Sequence, residues 1–199
     1  MLKDLVEKNR SYRRFEQSEA LDEETLYYLI DLARLCPSAR NVQTLRFLPI
    51  NRPSQAEKVF ACLTWAGALT GWSGPKDGEC PSAYIIILRR ADLHDAAGVD
   101  HGIAAQTMLL GAVEKGLGGC MIGSIDRKQL REAFAIDESY EILLVLALGK
   151  PAEEVVIEEL QNGQSCDYWR DDKGVHHVPK RRLVDIVLQP SAPNDGSWH

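Results

Sequence analysis

Stretches of this chain with apolar residues at helical spacing alternate with short runs that are apolar at almost every position. Leu2, Leu5 and Val6 mark a short helical segment at the start. Leu26, Leu29, Ile30 and Ala33 share one face of a helix predicted over residues 22–35, which opens on an acidic turn and is stopped by Pro37. Residues 45–51 read as a strand and 54–63 as a short helix with Ser54 as its N-cap. Ala-Tyr-Ile-Ile-Ile-Leu at 83–88 is apolar without alternation, which predicts a strand covered on both faces. Over 99–115, Ile103, Met108, Leu109 and Leu110 are interleaved with Gly102, Ala104, Ala105, Gly111 and Ala112. A helix apolar around most of its circumference belongs in the interior. A strand at 120–124, a helix at 127–134 and a strong core strand at 140–148 complete an α+β pattern.

Beyond Gly149 the pattern weakens. Residues 153–180 are polar, charged and poor in periodicity, and only 181–188 regain helical character. A segment of this kind cannot bury much of itself, so it is expected to wrap another surface. Residues 1–189 are expected to form a single domain, and 190–199 to be a flexible C-terminal tail.

Composition narrows the possibilities. A chain of 199 residues that is 45% hydrophobic and 26% charged can bury one sizeable core. Its formal charge of −6 argues against nucleic acid as a partner, since that needs a broad basic surface. No run approaches the roughly 20 apolar residues of a membrane span, and a cytoplasmic location is expected. The five cysteines, Cys36, Cys62, Cys80, Cys120 and Cys166, are odd in number and lack CxxC spacing, so neither a disulfide framework nor a metal site is indicated. Cys36 and Cys120 are expected to pack as small apolar side chains.

Against that acidic background, Asn9-Arg10-Ser11-Tyr12-Arg13-Arg14-Phe15 concentrates guanidinium groups beside a hydroxyl. Arginine presents a planar fork of always-charged donors that matches a phosphate, and serine adds a short donor to the same oxygens. The other reading is a solvated helix end, with Arg14 pairing Glu16 or Glu19. A second segment, Pro37-Ser38-Ala39-Arg40-Asn41-Val42-Gln43, ends a helix and projects amide and hydroxyl groups, which suit a heterocycle with alternating donors and acceptors or serve the turn itself. A third, Gly116-Leu117-Gly118-Gly119-Cys120-Met121-Ile122-Gly123, follows a helix and precedes a strand, the reverse of the dinucleotide-binding order. It also fits a glycine C-cap before a core strand.

Taken in order and at this spacing, these segments resemble the FMN-dependent nitroreductase family, from the first helix to Pro179-Lys180-Arg181. The resemblance implies a central, mostly antiparallel sheet flanked by helices, and a homodimer with FMN at the subunit interface and the C-terminal arm exchanged. It further implies Arg10 and Ser11 toward the phosphate and Arg13 at the pyrimidine edge of the flavin, where it stabilises the negative charge of the reduced ring. Pro37, Ser38, Asn41 and Gln43 would contact the flavin, the backbone of Met121, Ile122 and Gly123 would lie along its reactive edge, and His177, Lys180 and Arg181 would supply cations from the arm. The chain departs from the family at Thr44, where Asn-x-Gln is ordinarily followed by Pro. The implied activity is NAD(P)H-dependent reduction of a nitroaromatic or quinone acceptor by a ping-pong hydride mechanism, with helix 99–115 at the dimer seam.

Two alternatives remain at this level: another flavin chemistry on the same scaffold, reductive dehalogenation or flavin fragmentation, and a non-catalytic flavin-binding protein. Residues 65–81, with Trp65 and Trp72 among glycines, fit either a substrate lid or a core tryptophan with a packed loop. His94, His101, His176 and His177 have no partnered Ser or Cys, and the His176-His177 pair reads as surface loop.

Overall fold

The structure, a computed structural model, describes residues 1–67, 69, 71–93, 98–161 and 163–188. His94, two positions of the candidate lid (Ala68 and Thr70) and the expected C-terminal tail lie outside the described residues. The chain forms two compact units, divided between Glu154 and Val155.

The first unit contains helices α1 (Leu2–Lys8), α2 (Glu23–Arg34), α3 (Pro53–Phe60), α4 (Asp100–Glu114) and α5 (Arg127–Phe134), with a single 3-10 turn at Ala39–Asn41. Its strands are β1 (Leu45–Ile50), β2 (Ala83–Arg90), β3 (Gly118–Ile122) and β4 (Tyr140–Gly149), in the order β1-β2-β4-β3 with every neighbour antiparallel. The expected architecture is met. The 83–88 run shows why it carries no alternation: Tyr84, Ile86 and Leu88 pack with Val59 and Leu130 on one face, while Ala83, Ile85 and Ile87 pack with Leu29, Ala105 and Met108 on the other. Each fully buried Ile there contributes roughly 1.5–3 kcal/mol. Asp22 caps α2 by accepting from the Thr25 amide at 2.7 Å, and Gly116, at φ 74°, turns the chain out of α4 toward β3.

Several expectations are corrected or decided. Helix α3 starts at Pro53 with Arg52 as its N-cap, not at Ser54, because the fixed φ of proline suits the first helical position. Of the two readings of residues 65–81, the core tryptophan is the one met: Trp65 is 5% exposed and meets the Phe60 ring at 5.7 Å, and Trp72 packs against the same cluster. Strand β3 begins at Gly118, two residues before the predicted start, because both glycines are inside the strand.

The second unit holds β5 (Val155–Glu159), β6 (Trp169–Arg170), β7 (His176–Lys180) and the one-turn helix α6 (Leu183–Ile186). Its sheet runs β5-β7-β6, with β5/β7 parallel and β6/β7 antiparallel. Sequence periodicity does not reveal these strands. His176 and His177 lie in β7, with His176 1% exposed, and are not surface loop. The predicted helix at 181–188 shortens to Leu183–Ile186.

Candidate functional site

Leaving α1, the chain runs along the outer edge of β3. Ser11 bridges Gly119, the Tyr12 amide donates to the Gly119 carbonyl at 3.0 Å, and Phe15 bridges Pro151. This approach explains Gly118, and close packing against β4 explains Gly119. A Cβ on Gly118 would come within 2.5 Å of the Tyr12 ring, and one on Gly119 within 2.5 Å of the Ala147 carbonyl oxygen. The first and third motifs therefore form one corner of the first unit. The Glu153 carboxylate fixes it further by accepting from the backbone amides of Arg13 and of Arg14, the latter at 3.1 Å.

The cations of this corner are partly engaged. Arg10 Nη2 donates to the Val6 carbonyl at 2.7 Å and Arg13 Nη1 to the Ser11 carbonyl at 3.1 Å. Arg10 Nε is buried with no acceptor among the described residues. A buried charged donor left in that state is costly unless something else accepts its proton, and an anion would do so. Arg14 pairs with Glu79 at 3.4 Å, and not with Glu16 or Glu19; Glu16 is taken by Lys150 at 2.9 Å. Beneath the corner, burial pushes the Cys120 thiol pKa up, while the Arg13 charge and a hydrogen bond with Ser11 act in the opposite direction. Cys120 is 4% exposed and packs as a small apolar residue, whereas Cys36 is only half-buried, its Sγ 3.1 Å from Thr107 Oγ1. Past Gly119, the outer edge of β3 pairs with no other strand among the described residues, which leaves the main chain of Met121, Ile122 and Gly123 at an open edge.

Pro37, Ser38, Asn41 and Gln43 form a second corner, where the chain passes from α2 into β1. Arg40, Asn41 and Gln43 all have left-handed backbone, at φ 52°, 55° and 53°. The loop is tied down by Asp100, the first residue of α4, which accepts from Ser38 Oγ at 2.6 Å and from the Ala39 amide at 3.3 Å. Beside it lies a cleft of about 340 Å³, lined by Tyr27, Ile30, Phe47 and Pro49 with Ser38 and Gln43.

The two corners do not meet within one unit. β1 and β3 are the opposite edges of the sheet, three strand spacings or about 14 Å apart. Leu45 is level with Arg89 of β2, whereas Gly119 is level with Leu148 and hence with Ala83, which adds about 20 Å along the strands. One copy of the unit thus presents the two corners at a diagonal.

The remaining candidates lie in the second unit. His177 is held between carboxylates, with Nδ1 2.5 Å from Glu158 and Nε2 3.5 Å from Asp171, and it stacks on Trp169 at 4.0 Å. Burial pulls its pKa down, but the hydrogen bonds and charges of the two carboxylates outweigh that and leave it raised. Lys180 ends β7 and Arg181 follows, both exposed. Sequence reasoning missed Asp100 and Glu153. An acidic residue opening an otherwise apolar helix was the available signal for Asp100, whereas Glu153 carries none.

With this geometry in view, known proteins can be compared. A 5,6-dimethylbenzimidazole synthase of Rhodospirillum rubrum is 26% identical over 180 residues, covering 79% of this chain and 85% of that protein. An FMN-dependent nitroreductase from Clostridium difficile R20291 superposes with a TM-score of 0.62 at 23% identity, over 80% of this chain and 91% of that one. The NADPH:FMN oxidoreductase of Vibrio harveyi, solved with NAD+, gives a TM-score of 0.60 at 21% identity, over 76% and 69%. The fold is that of these nitroreductase-like structures. The model of the Nitroreductase family matches residues 6–150, a span that contains all three motifs of the two corners, and the chain belongs to that family.

Proposed function

We propose that the protein is an FMN-dependent oxidoreductase that uses NAD(P)H to reduce nitroaromatic, quinone or similar acceptors, working as a cytoplasmic homodimer whose two units act as one FMN-binding domain. The observation that carries this reading is the corner built by Arg10, Ser11 and Arg13 on β3, with a buried guanidinium nitrogen lacking an acceptor. The diagonal separation of the half-sites supports the dimer: the Pro37, Ser38, Asn41 and Gln43 corner can complete an FMN site only on a second copy.

Bound FMN would supply the hydride chemistry between NAD(P)H and the acceptor, in ping-pong order. The chain's own groups have simpler tasks. Arg10 and Ser11 hold the phosphate through charge-assisted hydrogen bonds. Arg13 sets a fixed positive charge where the reduced ring becomes negative. The open main-chain edge at Met121, Ile122 and Gly123 offers N–H groups without a competing nucleophile. Lys180 and Arg181 are the arm's cations for the phosphate, while His177 has both ring nitrogens facing carboxylates and contributes to the arm's structure.

Purified protein should be yellow, hold about one FMN per chain in preference to FAD, bleach on NAD(P)H addition and sediment at twice the 22.2 kDa chain mass. A colourless protein that does not take up FMN in a titration overturns the reading. Flavin fragmentation is the second reading, favoured by the 26% identity with 5,6-dimethylbenzimidazole synthase, whose product retains a dimethylbenzene ring like that of FMN. Release of dimethylbenzimidazole from reduced FMN under oxygen would select it.

A further inference from the structure

Ser38 lies in the corner expected to touch the cofactor, yet its hydroxyl is committed inward. It donates to Asp100 Oδ2 at 2.6 Å and accepts from the Gln43 amide at 3.0 Å. Its single proton is used, and the direction of that proton is imposed by an acceptor-only partner. Asp100 is 5% exposed and has no cationic partner among the described residues. A buried carboxylate without a counter-ion is expensive, and here the Ser38 hydroxyl, the Ala39 amide and the first turn of α4 are what compensate it.

The loop held in this way is strained. Left-handed backbone is tolerated by asparagine at 41 but disfavoured for Arg40 and Gln43, which have the same conformation at φ 52° and 53°. Within the loop the Asn41 amide donates to the Ser38 carbonyl (2.8 Å), the Val42 amide to the Ala39 carbonyl (3.1 Å) and Gln43 Nε2 to the Asn41 carbonyl (3.3 Å), which leaves Gln43 Oε1 as the acceptor the side chain can present. Both ends of the strained segment, the amides of Ala39 and Gln43, are fastened to the Asp100–Ser38 pair.

We propose that Asp100 is a positioning residue: through Ser38 it holds residues 39–43 in a strained, preset conformation that aims Asn41 and Gln43 at the flavin of the shared site. The proposal rests on the FMN reading for what the loop is aimed at. It reassigns Ser38 from a flavin ligand to the middle member of a Gln43–Ser38–Asp100 chain.

The test uses the full-length protein and two variants, Asp100→Asn and Ser38→Ala, with Ser38→Thr as the conservative rescue. In FMN-free protein, amide exchange at Ala39 and Gln43 should accelerate in both variants, while the amides of β2 and β4 keep their protection. FMN titration should show affinity about tenfold weaker in each variant, the double variant no weaker than either single one, and Ser38→Thr close to the parent. Unchanged exchange at Ala39 and Gln43, or exchange that rises equally throughout the first unit, overturns the proposal, since the pair would then be irrelevant or merely structural. Additive losses of FMN affinity also overturn it. Should Asp100→Asn fail to fold, Ser38→Ala decides alone. If the parent protein does not bind FMN, the cofactor reading fails, and the exchange data still decide whether Asp100 holds the loop.

Discussion

The two units of this chain are held together by different physics. In the first, β2 alone buries Tyr84, Ile85, Ile86 and Ile87 completely, between two apolar layers of helices. In the second, Leu160 and His176 are the buried residues among those described, and the sheet is fastened by the Glu158–His177–Asp171 contacts, by Trp169 stacked on His177 at 4.0 Å and by Tyr168 tilted against His176 at 5.2 Å. Leu183, Val184, Ile186 and Leu188 of its helical end are 60–92% exposed. A small sheet without an apolar face is marginal by itself, and exposed aliphatics in that number call for a partner surface. The first unit has a large apolar core of its own; the second, among the described residues, has almost none.

Truncation tests this contrast most severely. Residues 1–154 alone should keep a cooperative thermal transition but sediment as a monomer and lose FMN. A truncated dimer that retains flavin would show that the second unit covers nothing of consequence.

Next in size is the proposed phosphate role of the Arg10–Arg13 corner, which belongs wholly to the first unit. Arg10→Ala should weaken FMN binding by about 1.5–3 kcal/mol, roughly tenfold to a hundredfold, in an FMN titration, with the dimer intact. Unchanged affinity would return Arg10 to the role of a solvated helix end. Arg13→Ala should instead lower the flavin midpoint potential even at saturating FMN, which potentiometry would read.

Gly119→Ala sharpens the contrast by stressing only the packed unit. Its Cβ would lie 2.5 Å from the Ala147 carbonyl oxygen, a backbone atom that cannot swing away. The expected cost is about 1–3 kcal/mol, seen as a lower melting temperature and a loosened FMN site. A variant with parental stability would mean that β3 can shift away from the Ala147 carbonyl and the Leu109 side chain without consequence.

The smallest effect is confined to the arm. Because the carboxylates leave the folded-state pKa of His177 above its ordinary value, its contribution is fully present below the unfolded pKa, about 6.5. It is lost as pH rises through the folded value. Asp171 works in the opposite sense: burial acts to raise it, but the Val175 and Lys173 amides and His177 hold it low, so its contribution disappears on acidification. The melting-temperature difference between the parent and His177→Gln should therefore shrink from about pH 6 to about pH 9. A difference independent of pH would show that the Trp169 stacking, not charge, is what His177 provides.

Legibility in the sequence followed burial. The 83–88 and 140–148 runs and the 22–35 periodicity were readable because water exclusion acts on residues a fixed few positions apart. The Arg10–Arg13 cluster was readable because guanidinium chemistry is local to the side chain. Strands β5 to β7 were not, because parallel pairing of Val155 with His176 joins residues far apart in the chain and leaves no apolar alternation behind. The roles of Asp100 and Glu153 were equally hidden, since a carboxylate on a helix or a loop looks solvated until tertiary contacts enclose it.

By itself, then, the sequence determined the α+β class, the core strands and helices, and the clustering of guanidinium groups at Arg10–Arg14, all of which depend on local spacing and side-chain chemistry. Only the tertiary structure decided that the first and third motifs share a corner while the second lies across the sheet from it, and that Ser38 faces Asp100. Strand order and register decide such placements, and the pairing of distant segments sets both.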